Sequence, residues 1–206
     1  MTIGVIAYGS LITDPGRELK ELEAERRFGI RTPFRVEYAR TSEKRGGAPT
    51  LVPVIQGGAY VDAVLIVLRP RTSIELARDV LYRREIHSVG ELAKCYSPSA
   101  GNKNQVFVEV IPELFGVDHV LYTRLEPNIA NLSPDTLAEK AIASARTEFG
   151  TKREDGISYL ISALASGIRT PLTDAYASKI LEKTSTESLE MAWQRTVESK
   201  EQSSGT

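Results

Sequence analysis

Cysteine is nearly absent: Cys95 is the only one in 206 residues. No intrachain disulfide can form, and zinc motifs built from paired cysteines are excluded. Histidine is almost as scarce, with only His87 and His119, too few and too poorly spaced for a usual metal cluster. There is no Gly-x-Ser-x-Gly nucleophile elbow, no Walker A loop and no Gly-x-Gly-x-x-Gly, so the usual nucleotide cradles are missing. Neither sign of charge dominates, because 26 Lys and Arg stand against 27 Asp and Glu. Such a balance supplies no long-range field to recruit nucleic acid or anionic lipid and favours a small-molecule partner. The first residues, MTIGVIAYGS, have neither a basic region nor a signal-length apolar stretch, and no later run is long enough to span a bilayer. The expectation is a soluble cytoplasmic protein that binds neither nucleic acid nor membrane.

Hydrophobic residues make up 41% of the chain, enough for a core. IGVIAY (3–8) is a continuous apolar run and reads as a strand buried on both faces. Asp14-Pro15-Gly16 marks a turn, and RELKELEAERRFG up to Gly29 is helix-prone. Phe34, Val36 and Tyr38 alternate with Arg35, Glu37 and Ala39, as in a half-exposed strand. TLVPVIQGGAYVDAVLIVL reads as a hairpin around Gly57-Gly58, with Pro53 favouring an edge or a bulge. Ser73 can cap a helix over 73–84 carrying Ile74, Ala77, Val80 and Leu81 on one face. Strands are expected at 104–111 and 118–123. Beyond Pro127 the pattern is helical: Ser133-Pro134 opens a helix to Gly150, Asp155 a second ending at Gly167, and Thr173 a third. A last amphipathic stretch, ESLEMAWQRTVES, precedes a small polar tail at 201–206, expected to be disordered. These readings give an α+β fold in one domain, residues 1–200, strand-rich over 1–125 and helical over 133–199.

Two features carry chemistry. In YGSL (8–11) glycine lets backbone approach a ligand, and successive turn amides can hold an anion or stabilise an oxyanion. The same residues read as a plain strand exit with Tyr8 in the core. Glu85 falls where the helix from Ser73 should end, a position the helix dipole disfavours for an acid. Its other reading is a solvated charge paired with a neighbouring arginine. Cys95, in LAKCYSP, reads as an inert packed thiol.

In order, YGSLITDPG (8–16), RTSEKRGG (40–47), LYRRE (81–85) and GISYLISALASGI (156–168) together resemble the γ-glutamylcyclotransferases, closest to their ChaC-like, glutathione-specific branch. The resemblance spans residues 3–182. It departs from the family at Thr13, where the family has tryptophan, at Lys44, where it has histidine, and after Glu85, where Ile86-His87 replaces a Gly-Tyr pair. The fold it implies is a mixed β-barrel flanked by helices, with a helical C-terminal region. The implied reaction is intramolecular: the α-amine of a γ-glutamyl amide or peptide, glutathione among them, attacks its own γ-carbonyl and releases 5-oxoproline. No metal or cofactor is implied.

By the same resemblance Glu85 is the catalytic acid and base, buried in a largely apolar pocket. The amides of Gly9, Ser10 and Leu11 hold the glutamyl group, and Tyr8 shapes the pocket floor. Ser42, Arg45 and Tyr159 are further substrate-binding positions, although Tyr159 reads equally as a core tyrosine, and Arg40 is a lesser candidate. The alternative is a non-catalytic protein of the same fold that binds a small acidic metabolite. Met191 and Trp193 on the last helix fit either closure of the core, a homodimer contact or an anchor for another partner.

Overall fold

The computed structural model describes residues 1–97 and 105–203. In chain order its elements are β1 (Ile3–Ala7), α1 (Ser10–Thr13), α2 (Arg17–Leu22), β2 (Glu23–Arg31), β3 (Arg35–Ser42), a 3-10 turn (Glu43–Arg45), β4 (Ala48–Val54), β5 (Asp62–Leu68), α3 (Ile74–Glu85), β6 (Phe107–Leu114), β7 (Val117–Arg124), α4 (Pro134–Ala145), α5 (Glu148–Thr151), α6 (Gly156–Ala165), α7 (Thr173–Thr184) and α8 (Leu189–Ser203). The fold is α+β. The chain forms two compact units, one of Met1–Pro33 with Asp62–Glu126 and the other of Phe34–Val61 with Pro127–Thr206. No helix among the described residues is long and apolar enough to cross a membrane.

The first unit is built on a mixed sheet of order β2-β5-β1-β7-β6. β1 is buried along its whole length, as its unbroken apolar run requires, and it lies between antiparallel β5 and parallel β7. Ser73 caps α3, its side chain accepting from the Leu76 amide. One turn further on, Ala77, Val80 and Leu81 pack into the same apolar core as Val5, Ile66 and Leu121.

Three local expectations give way here. Glu23–Arg31 is strand where helix was expected, since β5 offers it a ladder running from Glu23–Leu68 to Arg31–Asp62; tertiary pairing outweighs helix propensity. β4 and β5 are not a hairpin. β4 pairs with β3, β5 pairs with β1 and β2, and the chain after Gly57-Gly58 instead bridges Val36 to Ala59. The sheet is also not a closed barrel. β3 and β4 form a separate two-stranded sheet, and β2 and β6 are the outermost strands of the five-stranded one.

In the second unit the β3–β4 pairing shifts register between Glu37 and Arg40. Residues 36–40 are all buried, so β3 is covered on both faces where a half-exposed strand was expected. Tyr38 packs edge-on against Tyr176 of α7 and Tyr159 of α6. Ser133 and Asp155 cap α4 and α6 as expected. α4, however, stops at Ala145, before the separate turn α5. Thr173 lies inside α7, after the capping position held by Leu172, and its hydroxyl accepts from the Thr170 amide. Gly156 lets the start of α6 approach α4, because a β-carbon there would lie 2.7 Å from the Ala141 Cα. α8 continues to Ser203 through part of the expected tail, whose residues 204–206 lie outside the described residues, as does residue 104 of the expected strand 104–111.

Glu37 is 3% exposed, and its Oε1 accepts from the Thr170 hydroxyl at 2.6 Å and the Tyr38 amide at 2.9 Å. Burial raises its pKa against the opposing pull of these donors and the Leu172 amide. A raised folded-state value means that the contribution of Glu37 to stability is fully present below its ordinary pKa and is lost as pH rises through the raised one. Urea unfolding from pH 4.5 upward is therefore expected to show wild type losing more stability with rising pH than Glu37→Gln. Parallel profiles for the two would remove Glu37 as the cause.

Candidate functional site

Where β1 ends, the backbone must turn sharply out of the sheet. It does so at Gly9, which is buried with φ 57° and ψ −136°, a conformation that a side chain disfavours. One helical turn follows. The Leu11 amide donates to the Tyr8 carbonyl at 3.3 Å and the Ile12 amide to the Gly9 carbonyl at 3.2 Å. Leu11 is thus engaged within the turn, whereas the amides of Gly9 and Ser10 have no acceptor among the described residues. The Tyr8 hydroxyl donates to the Thr123 carbonyl of β7 at 3.4 Å. Gly9→Ala is expected to destabilise the protein by about 1–3 kcal/mol; an unchanged chemical-denaturation midpoint would show that the turn accepts a side chain.

The last turn of α3 delivers three consecutive charges. Helix α3 stops at Glu85 because His87 adopts φ 58°, with the Ser88 amide donating to the Arg83 carbonyl and the His87 amide to that of Arg84. This is the bonding of a Schellman cap, with histidine in the left-handed position that glycine usually takes. Arg83 turns to Glu18 of α2 in an ion pair of 2.7 Å, the two side chains 3% and 12% exposed. It also donates to the Lys94 carbonyl, while Glu18 accepts from the Gly90 amide. The hydrogen bond from Arg83, helped by the Gly90 amide, holds Glu18 below the ordinary carboxylate range against the cost of burial.

Arg84 faces the turn after β1. Its Nη1 donates to Glu85 Oε1 at 2.9 Å, and its Nη2 donates to Ser10 Oγ at 3.2 Å and to the Asp14 carbonyl at 2.8 Å. Nε donates to that same carbonyl at 3.1 Å. Glu85 is 17% exposed, and its setting is an ion pair where a largely apolar pocket was expected. Its Oε2 has no partner among the described residues.

The remaining sequence candidates lie in the second unit. Ser42 ends β3 and its carbonyl accepts from the Gly47 amide. Arg45 sits in the 3-10 turn with its guanidinium 5.1 Å from the centre of the Tyr159 ring. Its carbonyl accepts from the Ser144 hydroxyl. Tyr159 is buried on α6, where its hydroxyl accepts from the Leu51 amide at 3.3 Å. Arg45 and Tyr159 are therefore neighbours, as are Tyr8–Leu11 and Glu85 through Arg84.

The pairing of Glu85 with a neighbouring arginine, expected as its alternative reading, is what the structure shows, with Arg84 as the partner and the carboxylate mostly buried. Sequence reasoning overlooked Glu18 and Asp14, the partners of Arg83 and Arg84. No group of three or more His, Cys, Asp and Glu among the described residues could hold a metal ion. What the first-unit cluster offers is a carboxylate for proton transfer beside a turn with two unengaged amides. Searches against protein-family models and curated proteins found nothing that matches the chain.

Proposed function

We propose that the protein is a γ-glutamylcyclotransferase-like enzyme that releases 5-oxoproline from a γ-glutamyl amide or peptide such as glutathione. One observation carries this reading: a single guanidinium, that of Arg84, joins the Glu85 carboxylate to Ser10 of the glycine turn. Two segments 74 residues apart in the chain, which the resemblance marks as acid-base group and glutamyl-binding loop, thereby meet in one unit.

In this reaction Glu85 takes a proton from the α-ammonium of the substrate, and the freed amine attacks the γ-carbonyl. The new C–N bond closes the five-membered ring, and the amides of Gly9 and Ser10 hold the glutamyl group folded for that attack. When the original C–N bond breaks, Glu85 returns the proton to the departing amine, and the ring nitrogen gives up its second proton to water as the lactam forms. Ring closure gains mainly from orientation, so the chain has to supply little beyond positioning and one proton shuttle.

The test is incubation of the purified protein with glutathione and a panel of γ-glutamyl amines, with 5-oxoproline as the readout. Its absence from every reaction overturns the reading. The second reading, a binder of small acidic metabolites without turnover, is favoured by the ion pair that occupies Glu85 in this structure. Thermal stabilisation by panel members without product would select it.

A further inference from the structure

We propose that Arg84 is the positioning residue of this site, fixing the orientation of the Glu85 carboxylate relative to the Tyr8–Thr13 turn. The proposal rests on the cyclotransferase reading for its kinetic consequence and on geometry alone for its structural one. Adjacent residues on a helix do not face each other, so an Arg84–Glu85 pair is not a product of helical spacing. It forms because the Arg84 side chain is already drawn to the turn by three other hydrogen bonds, two to the Asp14 carbonyl and one to Ser10 Oγ. Gly16 leaves room for its stem: a β-carbon there would sit 3.2 Å from Arg84 Cγ. With Nε, Nη1 and Nη2 all engaged, the planar fork has one orientation, and it passes that orientation to Glu85 Oε1. A carboxylate held by one oxygen keeps the other for a substrate proton.

Lysine cannot replace this arrangement. Its single ammonium nitrogen carries three donors at one point, whereas Arg84 reaches three acceptor groups from three nitrogens. The group is 13% exposed, so water does not readily substitute for it either.

Two measurements test the assignment. Crystal structures of the wild type and of Arg84→Lys should show the Glu85 carboxylate displaced or split between rotamers in the variant; a carboxylate that keeps its place overturns the proposal. In the 5-oxoproline assay, Arg84→Lys and Arg84→Ala should lower kcat by about 10²-fold with KM changed far less. Added methylguanidine should restore part of the Arg84→Ala rate. A kcat near wild type, or a rate loss confined to KM, also overturns it. Should the wild type release no 5-oxoproline from any panel member, the cyclotransferase reading falls and the crystallographic comparison decides the role of Arg84.

Discussion

Glu85→Gln is expected to lower the rate of 5-oxoproline release by about 10²–10⁴-fold, the span typical for loss of a general acid-base group. The substitution is close to isosteric. It keeps an oxygen that can accept from Arg84 Nη1, so the bonds from Arg84 to Asp14 and Ser10 have no reason to break. Stability should therefore change little, and the loss should appear in kcat, because the amide cannot take the ammonium proton or return one to the leaving amine. Steady-state kinetics on the best panel substrate, beside a thermal melt, separates the two effects. Full activity in Glu85→Gln removes this residue from the chemistry.

The largest effect on stability is expected from Arg83→Ala, a loss of about 3–5 kcal/mol. For a chain of this size that corresponds to a fall in Tm of roughly 6–20 °C. The cost comes less from the lost attraction than from what remains: a Glu18 carboxylate, 12% exposed, without its counter-charge, and a Lys94 carbonyl without its donor. Because Arg83 holds Glu18 below its ordinary range, the pair stabilises the protein above that range. Its contribution disappears as pH falls through the lowered value, so wild type and Arg83→Ala should converge in acid. Replacing both partners, Arg83→Met with Glu18→Leu, should recover much of the loss, since two apolar side chains leave no buried charge. Recovery should be incomplete, because the Gly90 amide and Lys94 carbonyl lose their protein partners. A melting temperature for Arg83→Ala within a degree or two of wild type would mean that the pair contributes nothing.

Where a residue's neighbours in sequence determine its conformation, the sequence was readable. Ser73, Ser133 and Asp155 announce helix starts because their side chains bond amides two or three residues ahead. The placement of Glu85 at a helix end followed from counting apolar positions after Ser73. Pairing partners were not readable in this way. Gly57-Gly58 between two β-branched runs is a sound local signal for a hairpin, yet β5 pairs on one side with β1 and on the other with β2. The segment 23–31 shows the same limit, since only the ladder with β5 turns it from helix to strand. At the candidate site, the Tyr8–Leu11 turn and Glu85 could be nominated separately. An arginine beside Glu85 could be named as its partner, but the reach of Arg84 to Ser10 and Asp14 could not, because no local pattern encodes contacts that distant in sequence.

The connectivity of the two units bears on how the chain is made. Synthesis delivers β3 and β4 after Pro33 and before Asp62, in the middle of the segments that form the five-stranded sheet. The helices that complete the unit of β3 and β4 begin at Pro134, about 80 residues beyond β4. At ordinary elongation rates that interval lasts roughly 4–16 s. During it Tyr38 and Val52, fully or almost fully buried in the finished protein, have no helix to cover them. β1 likewise waits for β7, its parallel neighbour, whose His119 aligns with Ile3. The nascent chain thus carries apolar strands without their partners until late in its synthesis, the window in which a ribosome-associated chaperone has most to bind.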